Sequence, residues 1–288
     1  LVRPGGKGVL AVSCDTLVAG THFPKRLDPE LVGHKALAVN LSDMAAMGAV
    51  PKWATLCLTL PDANEDWLDG FSRGFFNIAA HFGVQLIGGD LTRGALCMSV
   101  QILGEVDPAL ALTRSGAQVG DLICITGTLG DAGLGLAAYR DEIRPADWIR
   151  DYAIARLHAP TPRVAEGQAL LGFASAAIDI SDGLVADLSH ILQSSEVGAT
   201  LNCDRLPLSP ALQSLTKEQA HHWALSAGDD YELCFTIAPS FLQTLNQRWQ
   251  SSWAPIHVVG CITEGESLTL QSETGEILSM REEGYTHF

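Results

Sequence analysis

The stretch AAIDISDGLVADLSHIL (residues 176–192) decides the fold, because it joins a strand to a helix through an acidic turn. Ala176 to Ile180 is short and apolar, which is typical of a buried strand. Ser181-Asp182-Gly183 then forms a turn, and apolar residues recur at helical spacing over the residues that follow. The stretch therefore predicts a strand–turn–helix unit with carboxylates where the strand ends.

Similar units recur outward from this stretch. We predict further strands at Val9–Ser13, Trp53–Leu60, Val84–Ile87, Leu96–Leu103, Asp121–Thr126, Tyr231–Ile237, His257–Cys261 and Ser267–Leu270. One helix is predicted to start at Asp28-Pro29-Glu30, and another to run from Asn64 to a C-cap at Gly83. The alternation of strands and helices predicts an α/β or α+β fold, with a domain boundary near residues 108–114 that separates residues 1–112 from residues 113–288.

The bulk composition excludes several classes of protein. The 288 residues carry 33 acidic and 18 basic side chains, a net charge of −15, and no basic stripe of the kind that nucleic-acid binders carry. No apolar stretch reaches the ~20 residues that span a bilayer, so we expect no membrane partner. The seven cysteines form no Cys-x-x-Cys, and their apolar surroundings indicate free thiols in a reducing cytoplasm.

Aspartates follow apolar strands or lie among small residues at several separate places. They are Asp15, Asp43, Asp90, Asp179, Asp182, Asp229 and Asp230. Taken singly, each is explained as well by a turn or a helix cap. Taken together in one cleft, the carboxylates would repel one another and raise one another's pKa, and bound cations would remove this repulsion. Because the ligands are hard oxygens without a His or Cys cluster, the set favours Mg²⁺, which bridges carboxylates to phosphates.

The usual nucleotide motifs do not account for this pattern. The chain has no P-loop sequence and no protein-kinase signature set. Gly133-Leu-Gly135-Leu-Ala-Ala is similar to a dinucleotide fingerprint, but helix–strand packing explains these glycines, since no acidic residue ends a following strand at the expected spacing. The interpretation that accounts for the aspartates is phosphoryl transfer. It would rely on metal-held carboxylates, backbone amides and a cation such as Arg114.

Five stretches together resemble the thiamine-monophosphate kinase family, which belongs to a superfamily with aminoimidazole ribonucleotide synthetase and selenophosphate synthetase. The stretches are SCDTLVAGTHF (13–23), NLSDMAAMGA (40–49), LIGGDLTRG (86–94), IDISDGL (178–184) and SAGDDYEL (226–233). The resemblance covers essentially the whole chain. It implies direct transfer of the terminal phosphoryl group of ATP to thiamine monophosphate, assisted by several Mg²⁺ ions, with no side chain as acid or base and no phospho-enzyme.

The resemblance also implies roles for particular residues and an assembly. The metal site would comprise Asp15, Asp43, Asp90, Asp179 and Asp182, with Cys14 beside them. The ATP site would comprise Gly89, Asp90, Arg114 and Ser181, and the thiamine monophosphate site His22, Glu232 and Phe288. Similar proteins are homodimers in which the N-terminal mixed sheets, with flanking helices, join in a barrel, and each C-terminal α/β domain packs beside its own sheet.

Two departures from the family keep other hypotheses open. Related chains carry an upstream Gly-Asp-Asp segment, and this sequence begins just after that point, so the resemblance implies weaker nucleotide binding and turnover without it. Cys14 stands where the family often has Thr. Another acceptor within the superfamily is one alternative, although no reactive Cys with a nearby Lys is visible. A non-catalytic module that binds nucleotide or thiamine is the other.

Overall fold

The computed structural model describes residue 5 and residues 8–278 of the chain. Its strands are β1 (Val9–Val18), β2 (Val50–Leu60), β3 (Gln85–Arg93), β4 (Cys97–Val106), β5 (Leu122–Thr126), β6 (Ala174–Asp179), β7 (Gly198–Asn202), β8 (Leu233–Ile237), β9 (Ile256–Thr263) and β10 (Leu268–Gln271). Its helices are α1 (Pro29–Ala46), α2 (Glu65–Phe82), α3 (Asp131–Tyr139), α4 (Asp147–His158), α5 (Val164–Ala169), α6 (Leu184–Ser195), α7 (Pro210–Gln213), α8 (Lys217–Ser226) and α9 (Pro239–Arg248).

The strands form two mixed sheets, and the predicted α/β (α+β) fold class is confirmed. The N-terminal sheet has the order β1-β4-β2-β3, with β4 antiparallel to both neighbours and β3 parallel to β2. The C-terminal sheet has the order β10-β7-β9-β5-β8-β6. The chain passes from one sheet to the other between Val106 and Leu122. A barrel that joins two N-terminal sheets stays a prediction, because it needs a second chain.

Helix α1 lies between the two halves of the molecule. It contacts β1 and β4 of the first sheet, β6 of the second, and helices α2 and α5. Leu37, Leu41 and Met44 are fully buried on it, together with polar residues on its other faces. A helix that is covered on all sides belongs to the core, and its polar side chains must find partners inside the protein.

The predicted helix ends are confirmed. Asp28 caps α1, where its side chain accepts the backbone N–H of Glu30 at 2.9 Å. Asn64 caps α2 by accepting the N–H of Trp67 at 3.0 Å, and Gly83 ends that helix with a φ of 69°. These caps satisfy backbone groups that a helix terminus otherwise leaves unpaired.

Helices α1 and α2 approach each other closely because glycines face the contact. A Cβ atom on Gly33 would overlap the carbonyl oxygen of Phe71, and one on Gly74 would overlap the carbonyl oxygen of Glu30. The backbones therefore pack directly against each other. This contact fixes α1, which carries several of the residues described below.

Two strands extend further than the sequence predicted. We expected strands to stop at Cys14 and at Gly88, but β1 continues to Val18 and β3 continues to Arg93. The reason is pairing: β4 covers all of β1, and β2 continues alongside β3 past a bulge after Ala54. Asp15 and Asp90 therefore lie within strands. Sequence analysis also missed β7, α7, α8 and α9. The polar exposed faces of α8 and α9 weaken their apolar pattern, and β7 and α7 are only five and four residues long.

Candidate functional site

A cavity of about 1060 Å³ lies where the N-terminal sheet, α1 and the turn after β6 meet. Four of the five predicted metal-binding acids line it: Asp15, Asp43, Asp179 and Asp182. They come from β1, α1, the end of β6 and the turn that follows. The fold thus brings together carboxylates that are up to 167 residues apart in sequence.

The acids on β1 and α1 are held by short hydrogen bonds. Ser13 and Asp15 face the same side of β1, since side chains alternate along a strand. The Ser13 hydroxyl donates to Asp43 Oδ2 at 2.6 Å. The backbone N–H of Asp15 donates to Asn40 Oδ1 at 3.2 Å. Strand and helix therefore fix the relative position of Asp15 and Asp43.

Asp179 joins this group from the other half of the molecule. It is the last residue of β6, and its carboxylate is buried. The hydroxyl of Ser42 on α1 donates to Asp179 Oδ2 at 2.7 Å. Ser42 precedes Asp43, so consecutive residues of α1 connect two carboxylates of the cavity.

The crowded acids hold protons more strongly than usual. Burial and then the negative charge of Asp43 raise the pKa of Asp15 to about 7. Burial, followed by the charge of Asp43, raises the pKa of Asp179 to about 8. A cation among these oxygens would offset both the burial of the ionised carboxylates and their mutual repulsion. The donor set therefore fits Mg²⁺ in chemistry.

The protein atoms alone do not complete a metal site. Among residues 5 and 8–278, no group of three or more His, Cys, Asp or Glu side chains is arranged to hold a metal. Mg²⁺ commonly takes only one or two carboxylates, with the remaining ligands supplied by water and substrate phosphates. The acids in this cavity suit that kind of shared coordination.

The turn after β6 is held by a carboxylate that sequence analysis missed. Asp187 Oδ2 accepts the backbone N–H groups of Ser181, Asp182 and Gly183 at 3.0, 3.0 and 3.1 Å. Asp187 is buried, and this burial raises its pKa to about 7. Its one sequence signal is an acid in the first turn of α6, four residues after Gly183. Three converging hydrogen bonds fix the backbone that carries Ser181 and Asp182.

Four other predicted residues also line the cavity, namely Cys14, Ser181, Arg114 and His22. Ser181 and His22 are half-buried, whereas Arg114 is exposed. The His22 ring accepts the backbone N–H of Val18 through Nδ1 at 3.0 Å. This bond orients the ring and defines which nitrogen carries the proton when His22 is neutral.

Gly89 and Asp90 do not join the cavity of their own chain. The pairing register aligns Asp15 with Val100, Leu56 and Gly89 in one row across the sheet. Since β1 and β3 are opposite edges, three strand spacings separate Asp15 from Gly89, about 14 Å. Asp90 is exposed and follows Gly89 along β3. Gly89 also has a structural role, because a Cβ there would overlap the backbone of Leu56.

Glu232 differs most from its predicted role. Its side chain is 1% exposed, does not line the cavity, and lies in a network of ion pairs. Arg156 donates to it at 3.1 Å, Arg163 at 2.7 Å and the Thr126 hydroxyl at 2.8 Å. These donors occupy the carboxylate, so the geometry gives Glu232 a structural part, and its contact with thiamine monophosphate stays a prediction.

Two further predictions need separate treatment. Cys14 is exposed and alternates with Asp15 along β1, so the two side chains leave opposite faces of the strand. Partial burial and then the charge of Asp15 raise the pKa of the Cys14 thiol, which disfavours the thiolate that binds metals. Cys14 lines the cavity, but its raised pKa disfavours the metal-binding form, and its role as a ligand stays a prediction. Phe288 lies outside the described residues.

The two aspartates of Gly-Asp-Asp-Tyr-Glu have different surroundings. Asp230 is buried and accepts the backbone N–H groups of Gly130 and Ala132 at the start of α3, which makes it part of the scaffold. Asp229 lines the cavity and has a φ of 67°. Only the first of the pair therefore faces the site.

Comparison with known proteins relates this chain to one family. The family model for AIR synthase related protein, N-terminal domain, matches residues 1–106, and the model for the C-terminal domain matches residues 118–273. The thiamine-monophosphate kinase of Escherichia coli (strain K12) is 47% identical over 284 residues, which cover 98% of this chain and 87% of the relative.

Two solved structures extend the comparison to the fold. The crystal structure of thiamine-monophosphate kinase from Stenotrophomonas maltophilia K279a superposes with a TM-score of 0.90 at 43% identity, covering 96% of this chain and 89% of that one. The structure described as AaThiL complexed with AMPPCP and TMP has a TM-score of 0.86 at 31% identity, covering 100% of this chain and 89% of that one.

Within the described part of this chain, no helix is long and apolar enough to cross a membrane.

Proposed function

The chain belongs to the thiamine-monophosphate kinase family of AIR synthase related proteins, and we propose that it transfers the terminal phosphoryl group of ATP to thiamine monophosphate at the cavity lined by Asp15, Asp43, Asp179 and Asp182. The convergence of these four acids on one cavity carries the proposal. The relative that was solved with AMPPCP and TMP supports the choice of ligands.

The acids suit phosphoryl transfer because this reaction depends on positioning and on neutralising charge. Asp15, Asp43, Asp179 and Asp182 would hold Mg²⁺, which would supply the positive charge that phosphate oxygens need. Ser13 and Ser42 orient Asp43 and Asp179 before any ligand binds, through the hydrogen bonds described above. No side chain has to accept or donate a proton.

The remaining predicted contacts are assigned by their positions around the cavity. We place ATP phosphates near Ser181 and Arg114, since a guanidinium and a hydroxyl on the cavity wall suit anionic oxygens. We place His22, at the β1 end of the same cavity, near the phosphate of thiamine monophosphate. The cavity volume, about 1060 Å³, exceeds that of most single-ligand pockets and leaves room for two substrates.

We also propose that the active form is a homodimer. Both edge strands of the N-terminal sheet expose large apolar side chains: Val9 and Val12 on β1 are 45% and 49% exposed, and Ile87 and Leu91 on β3 are 45% and 61% exposed. Edge strands with such side chains are templates for pairing with another chain. Pairing of β1 with β3 of a partner would close the barrel and bring Asp90 of the partner subunit toward Asp15.

We place the enzyme in the cytoplasm. All seven cysteines are free, and three of them are buried: Cys124, Cys203 and Cys234. Free thiols of this kind are typical of proteins in a reducing compartment.

An assay of ADP release tests the proposed reaction. The chain is incubated with ATP, and ADP is measured with and without thiamine monophosphate and with and without Mg²⁺. We expect ADP only when both are present. Thiamine diphosphate should appear in equal amount, because each phosphoryl group that leaves ATP is transferred to thiamine monophosphate.

Substitution of the acids tests the site. Asp43→Asn and Asp182→Asn should each lower kcat by at least ~100-fold, since each removes a charge that holds the reacting phosphates. Circular dichroism should show an unchanged fold. Glu218→Gln, at an exposed position of α8 outside this cavity, is the matched control and should retain activity. An active Asp182→Asn enzyme, or binding of both ligands by calorimetry without ADP formation, would contradict the proposal.

A further inference from the structure

Helix α1 buries a lysine, Lys35, five residues before Asn40 and eight residues before Asp43. Lys35 is 1% exposed, although lysines are almost never fully buried without a partner. Its Nζ lies 3.2 Å from Asp229 Oδ2. The contact is an ion pair without hydrogen-bond geometry, and among the described residues Nζ has no hydrogen-bond partner. A buried charge in this position needs an explanation.

Asp229 is the residue through which Lys35 can influence the cavity. Asp229 lines the cavity, whereas Lys35 does not. The hydroxyl of Tyr231 donates to Asp229 Oδ1 at 2.9 Å, so the two oxygens are held from two sides. Burial and then the positive charge of Lys35 lower the pKa of nearby His158 to about 4. The His158 ring is therefore neutral near pH 7 and does not compete with Lys35 for the charge of Asp229.

The backbone of Asp229 is tied to the turn that carries the predicted ligands. Its N–H donates to the carbonyl oxygen of Ser181 at 2.9 Å. Gly228 packs so closely on the same turn that a Cβ would overlap that carbonyl. Asp229 also has a positive φ of 67°, which is uncommon for a residue with a side chain. Movement of Asp229 would therefore move Ser181 and Asp182.

The ion pair thus joins the two halves of the molecule at the cavity. Lys35 belongs to α1, together with Asp43, and Asp229 belongs to the segment bonded to the turn with Asp182. A buried ion pair is weak support for stability, because apolar side chains of similar volume do as well or better. We therefore expect the ion pair to contribute to position rather than to stability, because it favours one placement of the turn with Asp182 relative to Asp43.

We propose that Lys35 is a positioning residue, which through Asp229 holds the Ser181–Gly183 turn at the distance from α1 that lets Asp43 and Asp182 serve the same phosphates. This inference rests on the proposed kinase function. It concerns the preorganisation of the acids and assigns no contact between Lys35 and a substrate.

Lys35→Met tests this role, because methionine keeps most of the side-chain length and removes the charge. We expect kcat to fall by about 100-fold, the loss that small misplacements of reacting groups produce. We also expect the Mg²⁺ requirement to rise several-fold, measured without turnover as the Mg²⁺ concentration that gives half of the Mg²⁺-induced increase in Tm in the presence of a non-hydrolysable ATP analogue. The KM for ATP measured at saturating Mg²⁺ should change little. Lys217→Met removes an exposed lysine that pairs with Asp204, and should retain wild-type values.

Asp229→Asn and the double variant separate positioning from general stability. If the ion pair acts as a unit, Asp229→Asn should raise the Mg²⁺ requirement as Lys35→Met does, and Lys35→Met/Asp229→Asn should be no worse than either single change. Lys35→Arg should recover part of the activity. Asp229→Asn keeps the test available if the Lys35→Met chain fails to fold.

Two results would overturn the inference. One is an unchanged Mg²⁺ requirement and kcat in folded Lys35→Met and Asp229→Asn enzymes. The other is a double variant whose fold loss in kcat equals the product of the fold losses of the two single variants, which would show that the two residues act independently. An inactive wild-type chain would instead count against the proposed function, so the two failures are distinguishable.

Discussion

Asp187 shows how one residue can support other residues of the site through the backbone. Its carboxylate accepts three consecutive backbone N–H groups of the turn that carries Ser181 and Asp182. Asp187→Ala should leave these donors unsatisfied, lower the free energy of unfolding by about 1–3 kcal/mol, and reduce kcat because the turn loses its fixed position. Asp187→Asn retains an acceptor oxygen and should fall between alanine and wild type.

Thermal unfolding and ADP release measured side by side check this prediction. The matched control is Asp147→Ala, since that side chain is 86% exposed and belongs to a surface pair with Arg150. If Asp187→Ala kept both its Tm and its kcat, the turn would not depend on Asp187.

The raised pKa values of Asp15 and Asp179 give a pH dependence with a definite sign. Both carboxyls hold their protons more strongly in the folded chain, about 7 and about 8 against 3.8, so their contribution to the free energy of unfolding is complete below pH ~4 and is lost as pH rises through these values. Mg²⁺ needs the ionised forms. Its binding should therefore strengthen as pH rises from about 6 to about 8.5.

Thermal shift with Mg²⁺ and a non-hydrolysable ATP analogue measures this effect at both pH values. The increase in Tm on adding Mg²⁺ should be larger at the higher pH. Asp179→Asn should flatten the dependence, because the substituted group does not titrate. An equal Mg²⁺-induced shift at both pH values in the wild-type protein would contradict the prediction.

At the scale of single residues, the sequence could identify acids but not their supports. Asp15, Asp43, Asp179 and Asp182 stand among small and apolar neighbours, which is unusual enough to predict a site. Lys35 gave no such signal, since a lysine in a helix ordinarily lies on the surface. Its burial depends on α1 being covered by both halves of the fold, which no local pattern encodes.

At the scale of elements, caps were predictable and strand ends were not. Asp28, Asn64 and Gly83 act within one turn of their own helix, so local sequence determines them. The ends of β1 and β3 depend on partner strands that are distant in the chain. The sequence signal at Gly88-Gly89 favours a turn, and pairing with β2 outweighs it.

The contact between α1 and α2 allows a prediction about an element. Gly74→Ala places a Cβ against the carbonyl oxygen of Glu30, so the two helices must separate. We expect a loss of about 2 kcal/mol or more in the free energy of unfolding, as for overpacked cores. Asn77→Ala, on the exposed face of the same helix, should be neutral or slightly stabilising because alanine favours helices.

Urea unfolding of both variants gives the comparison. Since α1 carries Asn40, Ser42 and Asp43, the separation should also lower kcat in Gly74→Ala at temperatures where the protein remains folded. Equal midpoints for Gly74→Ala and Asn77→Ala would show that the helices can adjust without loss.

At the scale of the whole molecule, the position of Asp90 is the informative feature. Five acids were predicted to form one site, but β3 places Asp90 at the opposite edge of the sheet from Asp15. A sequence pattern shows which residues suit a metal, and it does not show which chain supplies them. If the edges β1 and β3 of two subunits meet, each site combines Asp15 of one chain with Asp90 of its partner.

Mixing two inactive variants tests this arrangement. Asp15→Asn and Asp90→Asn chains, each inactive as a homodimer, are unfolded together, refolded and assayed. Half of randomly formed dimers are mixed, and a mixed dimer has one site in which Asp15 and the partner's Asp90 are both intact, so roughly a quarter of wild-type activity should return. Mixing Asp15→Asn with Asp43→Asn, two acids supplied by the same chain, should restore none. Two results would contradict a site that is shared between subunits through β1 and β3. One is recovery of activity in the control mixture, and the other is no recovery when Asp15→Asn is mixed with Asp90→Asn.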